Sequence, residues 1–148
     1  MSALRSIVCG AMAAPACALL LLAPAAAAEL AGVTWATEGG SAHVAFAEEA
    51  DGLVGRIVWL RRQEETGEAV LDTHNPDAAL QSRPLLGVAL AWGFDPPRDE
   101  VWDGGRIYAA DTGKTYNARM TLEGDALIVT GCIRWPACRD QTWTKVQE

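Results

Sequence analysis

The chain has 148 residues, half of them apolar, with six Trp, four Cys and a formal net charge of −7. That length carries one domain with its own core plus an N-terminal extension, and leaves no room for a multidomain assembly. The acidic balance repels phosphate backbones and anionic lipid surfaces, and no Lys/Arg cluster opposes it, since Arg61-Arg62 is answered at once by Glu64 and Glu65; nucleic acid is excluded as a partner.

Residues 1–28 hold a single charge, Arg5, then an Ala-rich apolar run that ends Ala25-Ala26-Ala27-Ala28. A short basic head, an apolar middle and small residues at an A-x-A site describe a cleavable secretory leader, with the cut near Ala28–Glu29. The run is long enough to span a bilayer, but Pro15, Pro24 and its Ala content make it a poor anchor. Cys17 lacks the Leu expected three residues before a lipidated Cys. The expected mature protein is therefore a single domain, 29–148, periplasmic or secreted, with no stable membrane anchor. All 19 acidic residues lie past the leader, so removing Arg5 makes the mature domain still more negative.

In chain order, 32–37 reads as a short first strand and 42–48 as a second, with Val44 and Phe46 on one face. Residues 53–61 form the greasiest run, apolar on both faces, as a covered strand would be; Gly55 within it marks a bend or bulge. The connection 62–84 breaks the pattern. Gln63-Glu64-Glu65-Thr66-Gly67 reads as a polar turn, and Asp77 can cap one helical turn over 78–81, the only helix expected in the domain. So long a connection in a small domain marks a functional or covering segment. Residues 85–94 resume as a strand, followed by the rigid loop Asp95-Pro96-Pro97-Arg98-Asp99.

Two runs, 101–109 and 114–122, flank Ala110-Asp111-Thr112-Gly113, whose Asp and Gly supply turn chemistry. Tyr116, Ala118, Met120 and Leu122 alternate with Thr115, Asn117, Arg119 and Thr121, giving one dry and one wet face. Strands over 126–133 and 141–146 complete a set of eight. Tight sequential connections predict an antiparallel up-and-down barrel, which leaves no exposed edge; a two-sheet sandwich is the alternative. Cys9 and Cys17 leave with the leader. Cys132 and Cys138, spaced C-x5-C across a turn in an exported chain, predict one disulfide rather than a redox pair, which favours C-x-x-C.

Motifs in order along the mature chain, Gly55-Arg56-Ile57-Val58-Trp59-Leu60, Asp72 to Asn75-Pro76-Asp77, Leu80-Gln81-Ser82-Arg83-Pro84-Leu85-Leu86-Gly87, Trp102-Asp103-Gly104-Gly105-Arg106-Ile107-Tyr108, Gly113-Lys114-Thr115-Tyr116 and Gln141-Thr142-Trp143-Thr144, resemble those of domain-of-unknown-function family 2147, small exported bacterial proteins. The resemblance implies a lipocalin-like eight-stranded barrel and no established activity. Many relatives carry a further Cys pair where Ala47 and Val54 stand here. The G-x-W of lipocalins proper is one residue longer, Gly32-Val33-Thr34-Trp35.

The chemistry on offer is sparse. His43 and His74 are the only histidines, and Asp72-x-His74-x-x-Asp77 lies in a turn where Asp and Asn serve the backbone, so no metal or cofactor is expected. There is no G-x-S-x-G, no H-E-x-x-H and no phosphate-binding glycine loop, which argues against an enzyme. What remains is binding. A small hydrophobic or amphipathic ligand in the barrel would meet Arg56, Trp59, Trp102, Arg106, Tyr108 and Tyr116, with an inward Arg56 or Arg106 pairing a carboxylate that is costly to bury alone. On simple alternation Trp102, Gly104, Arg106 and Tyr108 share one face. The opposing reading gives these cations to water, the Trp residues to a filled core, and the protein to a role as an interaction module of the cell envelope with no ligand. Thiol labelling of exported protein without reductant will find neither Cys132 nor Cys138 reactive; labelling of either would refute the disulfide.

Overall fold

The computed structural model describes residues 30–147; the expected leader, 1–28, with Cys9 and Cys17, lies outside the described residues. Eight strands follow: β1 (Thr34–Ala36), β2 (Ala42–Glu49), β3 (Gly52–Leu60), β4 (Ala89–Trp92), β5 (Val101–Ala109), β6 (Lys114–Glu123), β7 (Ala126–Arg134) and β8 (Ala137–Lys145). Each pairs antiparallel with the next, and β8 returns to β1, so the sheet closes as an up-and-down barrel and not a sandwich.

Strands form where apolar residues alternate, and they stop where the backbone must turn. The fourth strand is shorter than expected because Leu85–Val88 make a turn, with Gly87 at φ 87° and the Val88 N–H donating to the Leu85 carbonyl at 3.0 Å. The polar turn expected at 63–67 is instead a short helix, α1 (Arg61–Thr66), so the turn at 78–81 is not the only helical element. Arg, Gln and Glu all tolerate helix, and Gly67 ends it in the left-handed conformation, its N–H donating to the Gln63 carbonyl. Ala78–Leu80 is a 3-10 turn whose preceding Asp77 accepts from the Ala79 N–H at 3.0 Å, as its capping chemistry predicts.

Inside the barrel, Trp35, Trp102, Trp143, Phe46, Met120, Leu127, Val44 and Val129 are all less than 2% exposed. Two glycines make this packing fit. A side chain at Gly55 would meet the Phe46 ring at 2.7 Å, and one at Gly105 would run into the ring of Phe94. Gly55 lies beside a register shift against β4, matching the bend expected there.

β5 departs from simple alternation. Trp102 pairs with Met120 but Gly105 pairs with Ala118, so β5 carries one residue more than β6 over this stretch, and Gly104 takes φ 71° within the bulge. The extra residue inverts the facing of everything beyond it. Trp102, Gly105 and Ile107 turn inward; Arg106 and Tyr108 turn outward. The expectation that Trp102, Arg106 and Tyr108 share a face is corrected here, and the bulge is the cause. The disulfide Cys132–Cys138 clamps the β7–β8 hairpin. Trp143→Ala should lower stability by about 3–5 kcal/mol, as core aromatic truncations do. In urea unfolding followed by circular dichroism, an unchanged midpoint would contradict a packed interior.

Candidate functional site

The segment between β3 and β4 leaves the sheet and returns across the outside of the barrel. It is folded on itself: the Leu85 N–H donates to the Val70 carbonyl at 2.8 Å and the Asp72 N–H to the Arg83 carbonyl at 3.0 Å. Its innermost residue is Asp72, fully buried despite being an acid. The Tyr108 hydroxyl donates to Asp72 Oδ1 at 2.6 Å, Asn75 Nδ2 donates to Oδ2 at 2.8 Å, and Arg83 Nε donates to the same oxygen at 2.9 Å. Asn75 in turn accepts from the Asp77 N–H, and its carbonyl accepts from Gln81 Nε2. Tyr108 points out of the barrel but is only 6% exposed, because this strap covers it.

Next to this lock, the β5–β6 turn approaches the strap so closely that a Cβ at Gly113 would collide with the His74 carbonyl, and Gly113 also needs φ 67°. Asp72 is thus a carboxylate with both oxygens engaged by donors, which makes it a fastener and not a metal ligand. Burial alone would raise its pKa, but the hydrogen bonds from Tyr108, Asn75 and Arg83, with the Arg83 charge, outweigh burial and hold it below the usual value. The Tyr108 hydroxyl, desolvated and donating to a carboxylate, is pushed up to about 12.

Beside the strap runs an open groove of about 630 Å³, with Leu86, Val88 and Trp92 along it and Arg56 and Arg83 at its edge. Leu86, 44% exposed, separates it from a smaller hollow of about 110 Å³ against Val58 and Trp59. Both lie outside the barrel wall.

The six residues expected around a ligand do not converge. Trp102 is buried in the interior and Tyr116 is half-buried on the inner wall near Gly131. Trp59 lies outside, stacked on His43 with ring centroids 4.2 Å apart. Tyr108 belongs to the lock. Neither arginine points inward: Arg56 is exposed and grips both oxygens of Glu49 at 2.7 and 2.9 Å, while its Nη1 donates to the Gly87 carbonyl. Arg106 is exposed and donates to the Gly105 carbonyl at 3.0 Å. An interior of Trp, Phe, Met and Leu has no counter-charge for a guanidinium, so the cations stay in water. The residue pattern does not announce the Asp72–Tyr108 lock. Its polar half reads locally as turn chemistry, and its aromatic half lies 36 residues away.

Asp72→Ala leaves a buried hydroxyl and a guanidinium unpaired and should cost about 3–5 kcal/mol, whereas Tyr108→Phe should cost about 1–2 kcal/mol. The lowered Asp72 pKa means its contribution is complete above the ordinary carboxylate range and disappears as pH falls through its folded value. The raised Tyr108 pKa means stability is kept up to pH 10.0 and declines from there to about 12. Urea midpoints across both windows will show each decline, and Tyr108→Phe will flatten the alkaline one; a Tyr108→Phe profile identical to the parent's would refute the lock.

The solved structure of HP1028 from the human pathogen Helicobacter pylori, described as belonging to the lipocalin family, superposes on this chain with a TM-score of 0.68 at 21% identity, over 80% of this chain and 84% of that one. At that identity the likeness concerns the fold. No curated protein matches. A family model described as an uncharacterized protein conserved in bacteria, DUF2147, matches residues 33–145, and the chain belongs to that family.

Proposed function

We propose that this protein is an exported, non-enzymatic interaction module of the cell envelope that works through the outside of a solid barrel. The observation that carries this reading is the filled interior: three Trp, a Phe and a Met, each no more than 1% exposed, occupy the place where a lipocalin-type ligand would lie. Eight strands enclose only enough room for side chains or one small ligand, and the large aromatics support the former. The leader-like N-terminus and the Cys132–Cys138 bond support an oxidising, extracytoplasmic address. Two buried ionisable side chains, Asp72 and Tyr108, are committed to fastening the strap, which supports a role without catalysis.

The groove of Leu86, Val88 and Trp92 is the surface offered to a partner. It is open on one side, whereas a small-molecule site buries most of its ligand. Its two arginines are already held by Glu49 and Asp72. A partner segment lying along it would cover apolar surface between fixed charges, the arrangement of an interface with a greasy centre and a polar rim.

A second reading, a carrier of a small hydrophobic or amphipathic ligand, has its own support. The indole N–H groups of Trp35 and Trp102 are buried without a hydrogen-bond partner, and an acceptor-bearing ligand would satisfy them. Two measurements separate the readings. Protein purified from its own cell envelope should show the bare polypeptide mass in native mass spectrometry and no gain in apolar-probe fluorescence. A photo-crosslinker at Leu86 should join one envelope protein, while the same probe at Asp125, at a distant turn, should not. A co-purifying lipid-sized mass would overturn the first reading in favour of the second.

A further inference from the structure

The tip of the β7–β8 hairpin is built unlike the rest of the molecule. Trp35, Trp102 and Trp143 are buried to within 1%, yet Trp135 is 79% exposed and Ile133 74%. Residues 133–137, Ile-Arg-Trp-Pro-Ala, form an unbroken exposed stretch. Nothing in the fold requires two large apolar side chains there, since the hairpin is already closed by the Cys132–Cys138 bond and the pairing of Arg134 with Ala137. The disulfide holds the tip in place, so contact with a partner orders little new chain.

Charge at the tip also runs against the whole. The protein is acidic, but the tip, residues 133–137, contains one Arg and no Asp or Glu. Arg139 lies 3.6 Å from Glu38, while among the described residues Arg134 makes no ion pair. Lys114 begins β6 at the same end, alongside Asp111 of the β5–β6 turn. Within the hairpin the acid nearest the tip is Asp140, three residues beyond Ala137 and about 10 Å back at strand rise, just outside the roughly 8 Å over which physiological salt lets charges act. The charge at the extreme tip is therefore that of Arg134, while Arg139 is answered by Glu38 and stands next to Asp140.

We propose that this hairpin tip docks the protein reversibly on an anionic lipid surface, with Ile133 and Trp135 entering the headgroup region and Arg134 meeting lipid phosphates. Trp is the side chain that settles at a membrane–water interface, its ring in the apolar boundary and its N–H toward water. Cations beside it gain from the negative surface potential. One Trp, one Ile and one Arg make a weak, salt-sensitive contact, not an anchor. A convex, cationic tip suits a lipid surface better than it suits a groove. This goes beyond the groove reading, and the two surfaces are tested separately.

The mature protein, carrying its disulfide, is sedimented with vesicles of phosphatidylglycerol and phosphatidylcholine in equal parts, and with phosphatidylcholine alone. The parent should partition measurably onto the anionic vesicles, more weakly onto the neutral ones, and less in high salt. Trp135→Ala should reduce partitioning roughly tenfold and Arg134→Gln roughly fivefold, both with the parent's urea midpoint, since neither side chain packs in the fold. Equal partitioning of Trp135→Ala and parent would overturn the proposal. Self-association that Trp135→Ala abolishes, or crosslinks from position 135 to protein and none to lipid, would also overturn it and reassign the tip to a protein partner.

Discussion

Closure of the sheet rests on a short seam. β1 has three residues and meets β8 at only two pairs, Trp35 with Lys145 and Ala36 with Thr144, reinforced by the Val146 N–H donating to the Thr34 carbonyl at 2.9 Å. So small a ladder would not hold by its hydrogen bonds alone. Beneath it, Trp35 is fully buried among the side chains the other strands send inward, and Lys145 lies over its ring at 5.8 Å. Leu30, also fully buried, and the Gly32 N–H, which donates to the Phe46 carbonyl, draw the preceding segment onto the same core. The seam closes because opening it would hydrate a Trp and a Leu together.

The same filling that closes the seam places the strap and the groove on the exterior. With the centre occupied, the polar lock and the open groove lie against the outer wall. The strap is pinned by Asp72 to Tyr108, and its return beside β4 leaves the Leu86–Trp92 groove. The bulge in β5 links the two halves of the design: one added residue keeps Trp102 in the core and turns Tyr108 outward to meet the strap. Without it, Tyr108 would face the interior and Asp72 would lack its principal partner. Gly113 completes the arrangement, because only a residue without Cβ leaves space for the His74 carbonyl.

Much of the architecture is legible in the residues. Eight alternating runs with tight turns yield the strand count, antiparallel order and closure. C-x5-C yields the disulfide, and Asp77 before two Ala yields the capped turn. The failures have specific causes. Alternation cannot register a bulge, so it inverts the facing of Arg106 and Tyr108 relative to Trp102. Helix over Arg61–Thr66 has no buried residue, so no apolar period announces it, and only the Gly67 cap hints at its end. Asp72, Asn75 and Arg83 look like turn residues because half of their bonds are local; the bond that gives Asp72 its role crosses 36 residues. Charge logic alone could send an arginine inside, because it takes no account of the Glu49 carboxylate and the carbonyls that hold Arg56 and Arg106 outside.

The central claim is that a tryptophan-filled barrel is shut by β1 on β8. Solution NMR tests it most directly, through cross-seam contacts between Trp35 and Thr144 or Lys145 and hydrogen exchange at the Val146 amide. A shut barrel predicts those contacts together with slow exchange at Val146. Absent contacts, with Val146 exchanging as fast as an unpaired edge, would contradict it.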